Sequence, residues 1–337
     1  GFDKAMSVQK ERSRSAATSE TSDWMDVSEG EVKFLGYDSL EGETVVLKYR
    51  EIKEKKNTIY QIVLKETPFY AESGGQIGDT GEIKSKEIHL NVIDTYKSGD
   101  DICHLCEILD GDLDEKFNNY FELSVDEERR KKIKANHSAT HLLHASLREV
   151  LGNHVTQKGS LVNDEKLRFD FSHNDPIDNI DLEKIEKIVN KIILQKSSVT
   201  TKILNQQSAI HEGAIALFGE KYEDEVRVIT MGTNSDDYFF SKELCGGTHV
   251  KNTGDIKKFK ITSQSSVASG IRRLEAVTNI GVDNYKSDQL IKEKEKNNQI
   301  ENEINKYLNL IKKTAPEKII KISNDTKLND QLKDIKN

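Results

Sequence analysis

Ala135-Asn136-His137-Ser138-Ala139-Thr140-His141-Leu142-Leu143 lies within a stretch, about 126–152, whose apolar residues keep a helical period. Ala135, Ala139, Leu142, Leu143, Leu147 and Val150 fall near the i, i+4, i+7 spacing of one buried face, and Gly152 stands where a helix C-cap is expected. His137 and His141, at i and i+4, project from one side of that helix, a separation that a divalent ion can bridge. Taken alone, such a pair is more often a surface or core feature than a ligand pair. More than a hundred residues later, Cys245-Gly246-Gly247-Thr248-His249 supplies a second pair. Its two glycines let the backbone fold tightly, so that sulfur and imidazole can point inward together. Three histidines and one cysteine make a standard tetrahedral zinc set, and the two pairs together signal far more than either half.

Two competing metal chemistries fail on residues. A metalloprotease helix needs HExxH with the Glu as base, and Ser138 occupies that position here. A zinc deaminase needs His-x-Glu with Pro-Cys-x-x-Cys, and neither occurs. Cys103-His104-Leu105-Cys106 is a decoy: it lies in a strand-like run, where alternation sends the two cysteines to opposite faces, and no second CxxC follows. His144, one turn from His141, reads as a helix-packing residue. His154, His173 and His211 read as ordinary polar or turn residues.

Outward from this helix the pattern changes. Residues 4–20 are rich in Lys, Arg, Ala, Ser and Glu and read as an exposed helix. Between 28 and 125, short β-rich segments such as Val45–Tyr49 and Ile59–Leu64 are punctuated by Gly74-Gly75, Gly78-Asp79, Gly81 and Gly111-Asp112. That pattern predicts a small antiparallel barrel or sandwich. Strand-like runs at 167–171, 226–231 and 256–262, with a helix at about 181–195, predict an α+β domain ending near 280. Beyond 283, Ile300, Ile304, Leu308 and Ile311 keep a helical stripe in a background of Lys, Glu, Asn and Gln, as at the start of a coiled coil or helical arm.

The chain has 337 residues, enough for two or three domains, with 35% hydrophobic and 32% charged residues. Its mean hydropathy is -0.66. No run of about eighteen apolar residues exists to span a bilayer, and the opening Gly-Phe-Asp-Lys carries no apolar leader and no Met, so the chain reads as a piece of a longer one. Three cysteines cannot form a disulfide framework and suit a reducing, cytoplasmic setting. A net charge of -8 does not announce a nucleic-acid binder, yet Arg129, Arg130, Lys131, Lys132 and Lys134 crowd six positions and Arg272-Arg273 add a second basic spot. On its own, such a run reads as a solvated helix face.

At these residues the chain resembles the alanyl-tRNA synthetases. The stretches that carry the resemblance are His137–Leu143, Cys245–Val250, Gly270–Thr278, the glycine loop Phe69–Asp79, Phe169–His173 and Phe218–Tyr222, all in family order. The resemblance implies an α+β fold in four parts. These are the last helix of the tRNA-recognition region (1–22), a small β-barrel (26–125), a zinc-containing editing domain of the type shared with threonyl-tRNA synthetases (126–280), and a long C-terminal helix or coiled-coil arm (283–337). The ATP-using aminoacylation domain and the final oligomerisation domain find no counterpart. The family's zinc ligands carry over to His137, His141, Cys245 and His249. Gln157 matches a position lining the editing pocket, so Gln157 and Cys245 are the catalytic candidates. Gly74, Gly75, Arg129, Arg130, Lys132, Arg272 and Arg273 are the candidates for contact with tRNA. The sequence departs from the family pattern at Ser138 (a usual Thr), Gln264 (Glu), Glu223 (Gly) and Lys257 (Gly).

The implied chemistry is hydrolysis of tRNA(Ala) mischarged with serine or glycine. A pocket for alanine discriminates poorly against both: one methyl-sized group is worth only about 1–3 kcal/mol, and an added hydroxyl gives roughly hundredfold selectivity. A second, hydrolytic site is the physical remedy. Four protein ligands close a zinc shell that a catalytic ion usually keeps open, so zinc either polarises the attacking water or holds the pocket in shape. Two further readings stay open from sequence: a zinc-stiffened tRNA-binding module without hydrolysis, and a freestanding trans-editing deacylase.

Overall fold

In the first third of the chain, apolar residues alternate with polar ones, and side chains of successive strand residues point to opposite faces. Ile88, Leu90 and Val92 are buried while their neighbours are half-buried, and Phe121, Leu123 and Val125 repeat the pattern with exposed neighbours. The computed structural model describes residues 20–53, 58–111, 120–216, 223–233 and 239–314. Its first half comprises β1 (Glu20–Thr21), β2 (Met25–Asp26), β3 (Lys33–Phe34), β4 (Glu41–Thr44), β5 (Val46–Lys53) and β6 (Thr58–Leu64). These are followed by β7 (Glu66–Thr67), β8 (Gly81–Lys84), β9 (Ile88–Ser98), β10 (Asp101–Gly111) and β11 (Phe121–Val125).

The nine-stranded antiparallel sheet runs β1–β5–β6–β10–β9–β8–β11–β4, with β2 also paired to β5. β4 and β5 lie toward opposite ends of this order, yet Val45 alone separates them in the chain. One residue spans at most about 3.6 Å, so the sheet has to curl until its ends approach. The curled sheet encloses Val46, Ile62, Leu64, Phe69, Leu90 and Phe121. Cys106 belongs to this core, whereas Cys103 packs on the other face against Leu47 and Val63. The CxxC residues are thus on opposite faces, as strand alternation requires.

Helix α1 (Glu127–Leu151) follows directly. Asp126 caps its N-terminus by accepting the Arg129 N–H at 2.9 Å, Glu127 and Glu128 complement the dipole of the first turn, and Gly152 ends it. Its apolar face covers a four-stranded antiparallel sheet, β12 (Gln157–Val162), β13 (Leu167–Ser172), β18 (Ile271–Thr278) and β17 (Phe259–Ala268), in that spatial order. Helix α2 (Asn179–Leu194) packs beside it, burying Ile185, Val189, Ile192 and Ile193. A second sheet, β14 (Thr200–Asn205), β15 (Glu225–Thr233) and β16 (Phe239–Leu244), brings the end of β16 to α1; the short helix α3 (Gln206–His211) caps β14.

The strand expected at 256–262 begins only at Phe259. Thr253–Ile256 form a 3-10 turn, and Lys257 leaves it with φ +66°. A side chain is strained in that region of φ, which explains why glycine suits this position. Residues 1–19 and Phe218–Tyr222 lie outside the described residues. At Glu20–Thr21 the expected helix gives way to strand β1, paired with Ile52 and Lys53.

The chain divides into two units, 1–279 and 280–337. The second contains helix α4 (Ile280–Thr314), where Ile300 and Ile304 are buried and Tyr307, Leu308 and Ile311 pack with them. No described helix is long and apolar enough to cross a membrane.

Arg130 bolts α1 to the curled sheet. Fully buried, it donates from Nε to Asp79 at 2.8 Å, makes a second contact with the same carboxylate, and reaches the carbonyls of Gly36 (2.8 Å) and Pro68 (2.9 Å). Removing one partner of such a pair leaves the other charge buried and uncompensated. Arg130→Met is expected to lower the unfolding free energy by about 3–5 kcal/mol in urea titrations; a loss under about 1 kcal/mol would contradict this role. Lys257→Gly is expected to raise it by about 1 kcal/mol by relieving the φ strain, and an unchanged midpoint would show that the strain is absent.

Candidate metal centre

One turn of α1 separates His137 from His141, and both rings face the loop that follows β16. Three observations bring that loop close. The Tyr37 hydroxyl donates to the Gly246 carbonyl at 2.6 Å. Arg227 on β15 donates to the Gly247 carbonyl at 2.9 Å, with its guanidinium 3.5 Å from the centre of the Tyr37 ring. Gly247 packs so tightly on His137 that a Cβ there would overlap the imidazole. A side chain at 247 would push the two halves of the cluster apart.

The potential ligand atoms of His137, His141, Cys245 and His249 all lie within 4.8 Å of one another. Cys245 Sγ is 3.5 Å from His137 Nε2 and 3.3 Å from His249 Nε2. A tetrahedron with bonds of about 2.1 Å to nitrogen and 2.3 Å to sulfur gives edges of similar length. Each imidazole is oriented through its other nitrogen. His137 Nδ1 is 2.8 Å from Gln76 Oε1, His141 Nδ1 is 2.6 Å from Glu243 Oε2, and His249 Nδ1 is 3.3 Å from Ser138 Oγ. Gln76 Oε1 and the Glu243 carboxylate are acceptors, so the ring N–H groups of His137 and His141 point at them. Nε2 of each ring is left on the cluster side, as a lone pair once the ring is neutral. This is the outer-shell pattern that metal-bound histidines show.

Electrostatics point the same way. Burial works against a thiolate, yet the His137, His249 and His141 rings hold the Cys245 thiol well below its ordinary range. Burial alone works against a charged ring, but Glu243 and Cys245 push His141 up to about 10. Burial pushes His249 down to about 3, leaving it neutral. Glu243 is itself fully buried between His141 and His144, and those rings keep its carboxyl below the usual range despite the cost of burial. A cluster of this kind holds a proton where a cation belongs, and metal binding displaces it. His141 Nε2, buried and without a hydrogen-bond partner, marks the place. The donor set fits a divalent ion that takes nitrogen and sulfur in a tetrahedron.

The other sequence candidates sort by environment. Arg130 is sealed in the interior and cannot meet a phosphate, which corrects its reading as a tRNA contact. Arg273 forms a two-pronged pair with Asp170 at 2.6 and 2.7 Å, so its fork is already occupied. Arg129 donates to the Gly78 carbonyl at 2.7 Å and remains partly exposed, Arg272 donates to the Asn174 carbonyl at 2.8 Å, and Lys132 is exposed. Gly75, at φ +83°, presses against Ser160, and its carbonyl accepts the Val162 N–H at 2.7 Å. Gln157 donates to Ser160 Oγ at 3.4 Å, and that hydroxyl lies 3.4 Å from the Gly74 carbonyl. Gln157 therefore belongs to the glycine-loop side of the site and is not one of the clustered ligands. Gln264 donates to the Ile177 carbonyl at 2.9 Å, which a carboxylate could not do. Glu275 accepts from Lys166 Nζ at 2.6 Å.

Gln76 and Glu243 are missing from any reading of the sequence alone. Gln76 sits inside the glycine loop, and Glu243 stands two residues before Cys245 on a strand whose inward positions are otherwise small or apolar. Burial of that acid is a property of the fold, and no local spacing rule marks it in the sequence. His144, taken as a packing residue, binds Glu243 at 3.0 Å.

Residues 226–275, which include Glu243, Cys245 and His249, match the model of the threonyl and alanyl tRNA synthetase second additional domain. Residues 1–129 match that of the class II (A) tRNA synthetases. The alanine--tRNA ligase of Cytophaga hutchinsonii is 48% identical over 291 residues, 86% of this chain and 32% of the relative. That of Porphyromonas gingivalis is 43% identical over 322 residues, 94% of this chain and 35% of the relative. The chain belongs to the alanyl-tRNA synthetase family. It spans about a third of the length of these relatives.

Cys245→Ala is expected to lower the metal content of the purified protein to near zero while leaving the curled sheet folded. Glu243→Gln keeps the ligands but loses the carboxylate behind His141, and should weaken metal affinity about 10–100-fold in chelator competition. Full metal occupancy in Cys245→Ala would remove this cluster from consideration.

Proposed function

We propose that this chain carries the editing activity of an alanyl-tRNA synthetase, hydrolysing the ester of tRNA(Ala) mischarged with serine or glycine at a zinc site formed by His137, His141, Cys245 and His249. The observation that carries the proposal is the cluster itself: three inward Nε2 atoms and one depressed thiol, each ring oriented from behind, with Cys245 and His249 inside the 226–275 segment that matches an editing-type domain. When bound, zinc supplies Lewis acidity toward the ester carbonyl or the attacking water.

The chain's own residues provide the geometry. Gln76 accepts from both His137 and the Thr248 N–H (2.9 Å), which holds the ligand loop and the ligand helix in one register. His249 is only partly buried, while the other three ligands are buried. It lines a cavity of about 320 Å³ with Tyr37, Lys134, Arg227 and Lys251 among its walls. The cluster therefore meets solvent on the His249 side, and that is where an aminoacyl ester would approach. Gln157, linked through Ser160 to Gly74, is not on the wall of that cavity, and its part in this reading is to support the glycine loop that carries Gln76. Water adds to the ester carbonyl, the carbon–oxygen bond to the ribose breaks, and the amino acid leaves with the ribose hydroxyl restored.

One observation favours a second reading. Four protein ligands saturate a tetrahedral ion, as in a structural site, and the chain would then bind tRNA without hydrolysis. One experiment separates the two. The purified chain is incubated with preformed Ser-tRNA(Ala), Gly-tRNA(Ala) and Ala-tRNA(Ala). Editing predicts release of serine and glycine but not alanine, lost on zinc chelation and restored by zinc. No release of either, with zinc and tRNA both bound, leaves the binding module as the function.

A further inference from the structure

The cavity beside His249 has a composition that metal binding does not require. Lys134 is half-buried and Lys251 exposed, and both line it with Arg227. Neither lysine ammonium makes a hydrogen bond or an ion pair among the described residues. One carboxylate, the exposed Asp38, stands on the cavity wall, and Asp79, which also attracts Lys134 from the interior, is already paired with Arg130, so the three cations of the wall outnumber the carboxylates left to face them. Burial, and then the like charges of Arg130 and Lys251, hold the Lys134 ammonium below its ordinary range. A protein that leaves two unpaired lysines facing one concave space, one of them half-buried, accepts a free-energy cost that an anion would offset. The metal ligands do not supply that anion, since His249 is the cluster's one member on this wall.

We propose that this cavity is a phosphate subsite, in which Lys134 and Lys251, beside Arg227, receive a phosphodiester of the single-stranded 3′ end of tRNA as its terminal ester reaches the metal cluster. The inference rests on the editing reading for its choice of ligand. Lys134 precedes His137 by three residues on α1, less than one helical turn and about 4.5 Å along the axis. Lys251 follows His249 by two, so both cations are tied to ligand-bearing segments. A phosphate held here fixes the strand close to the cluster without touching it. Arg227 already orders the ligand loop through the Gly247 carbonyl, so the anion and the loop share one anchor. The contact is with the backbone and therefore carries no base preference.

The test uses the full zinc-loaded chain and uncharged tRNA(Ala), so that it does not depend on hydrolysis. Each phosphate contact contributes about 0.7–0.9 to the slope of log K against log salt. Lys134→Gln and Lys251→Gln are each expected to make that slope shallower by about this amount, with zinc content unchanged. Lys134→Arg should retain the wild-type slope. Lys187→Gln, an exposed lysine on α2 away from the cavity, should do the same. A wild-type slope in both glutamine variants overturns the proposal, as does an equal change in Lys187→Gln. If Lys134→Gln loses zinc, Lys251→Gln, altered only at an exposed side chain, decides.

A second arm distinguishes phosphodiester from any small anion. Seryl-adenosine, which has no phosphate, should be hydrolysed with unchanged kcat/KM by the variants while KM for Ser-tRNA(Ala) rises. Inorganic phosphate that binds the wild type with no effect of either substitution on tRNA affinity counts against the subsite. If the wild type hydrolyses neither ester, the editing reading fails, and the salt slope still decides the phosphate subsite.

Discussion

Helix α1 is held by the turn Phe69–Asp79 through two buried contacts, and the rest of the site depends on them. Asp79 grips Arg130 at the helix start, and Gln76 meets His137 two turns further on. Both acceptors come from a segment more than fifty residues upstream. The curled sheet is thus more than a neighbour of the metal cluster, since it supplies the outer-shell partner of one ligand and the counterion that seats the ligand helix. Arg130 can serve this purpose because its fork is filled on every side by Asp79, Gly36 and Pro68. A buried guanidinium with fewer partners would be a liability.

From that anchorage the electrostatics of the centre follow. Three rings are turned by Gln76, Glu243 and Ser138 so that their free nitrogens converge on one sulfur. Like-charged or lone-pair-bearing atoms do not converge without compensation, and here the compensating charge is a proton or a metal ion. Glu243 takes a large share of this work, binding His141 and His144 together from inside the core. Arg227 and Tyr37 act on the other side, ordering the carbonyls of the glycine-containing ligand loop. The result is a cluster sealed on three sides and open at His249, beside a cationic cavity.

The departures from the family pattern also acquire physical content. Lys257 occupies a left-handed φ where glycine would be unstrained. Gln264 makes a donor contact to the Ile177 carbonyl that the usual acid could not make. Ser138 keeps the hydroxyl that matters, accepting from the Val250 N–H at 3.1 Å while holding His249. In each case the local consequence is a backbone or hydrogen-bond adjustment and not a change of ligand.

Legible in the sequence were the α1 helix with its glycine stop, the strand runs, the i, i+4 histidine pair and its cysteine–histidine complement. These are local periodicities and short spacings, which backbone geometry translates directly. It also separated Cys103 from Cys106, because alternation along a strand is a local rule. Contacts between distant segments were settled by the fold alone. Arg130 belongs to a basic run that reads as one solvated face, yet packing buries it on Asp79 and leaves Lys132 in solvent. Gln76 and Glu243 carry no spacing signal that ties them to His137 and His141, and Tyr37 none that ties it to Gly246. Their roles arise from the chain folding back on itself, where burial makes an acceptor behind each ring necessary and position alone chooses which residue provides it.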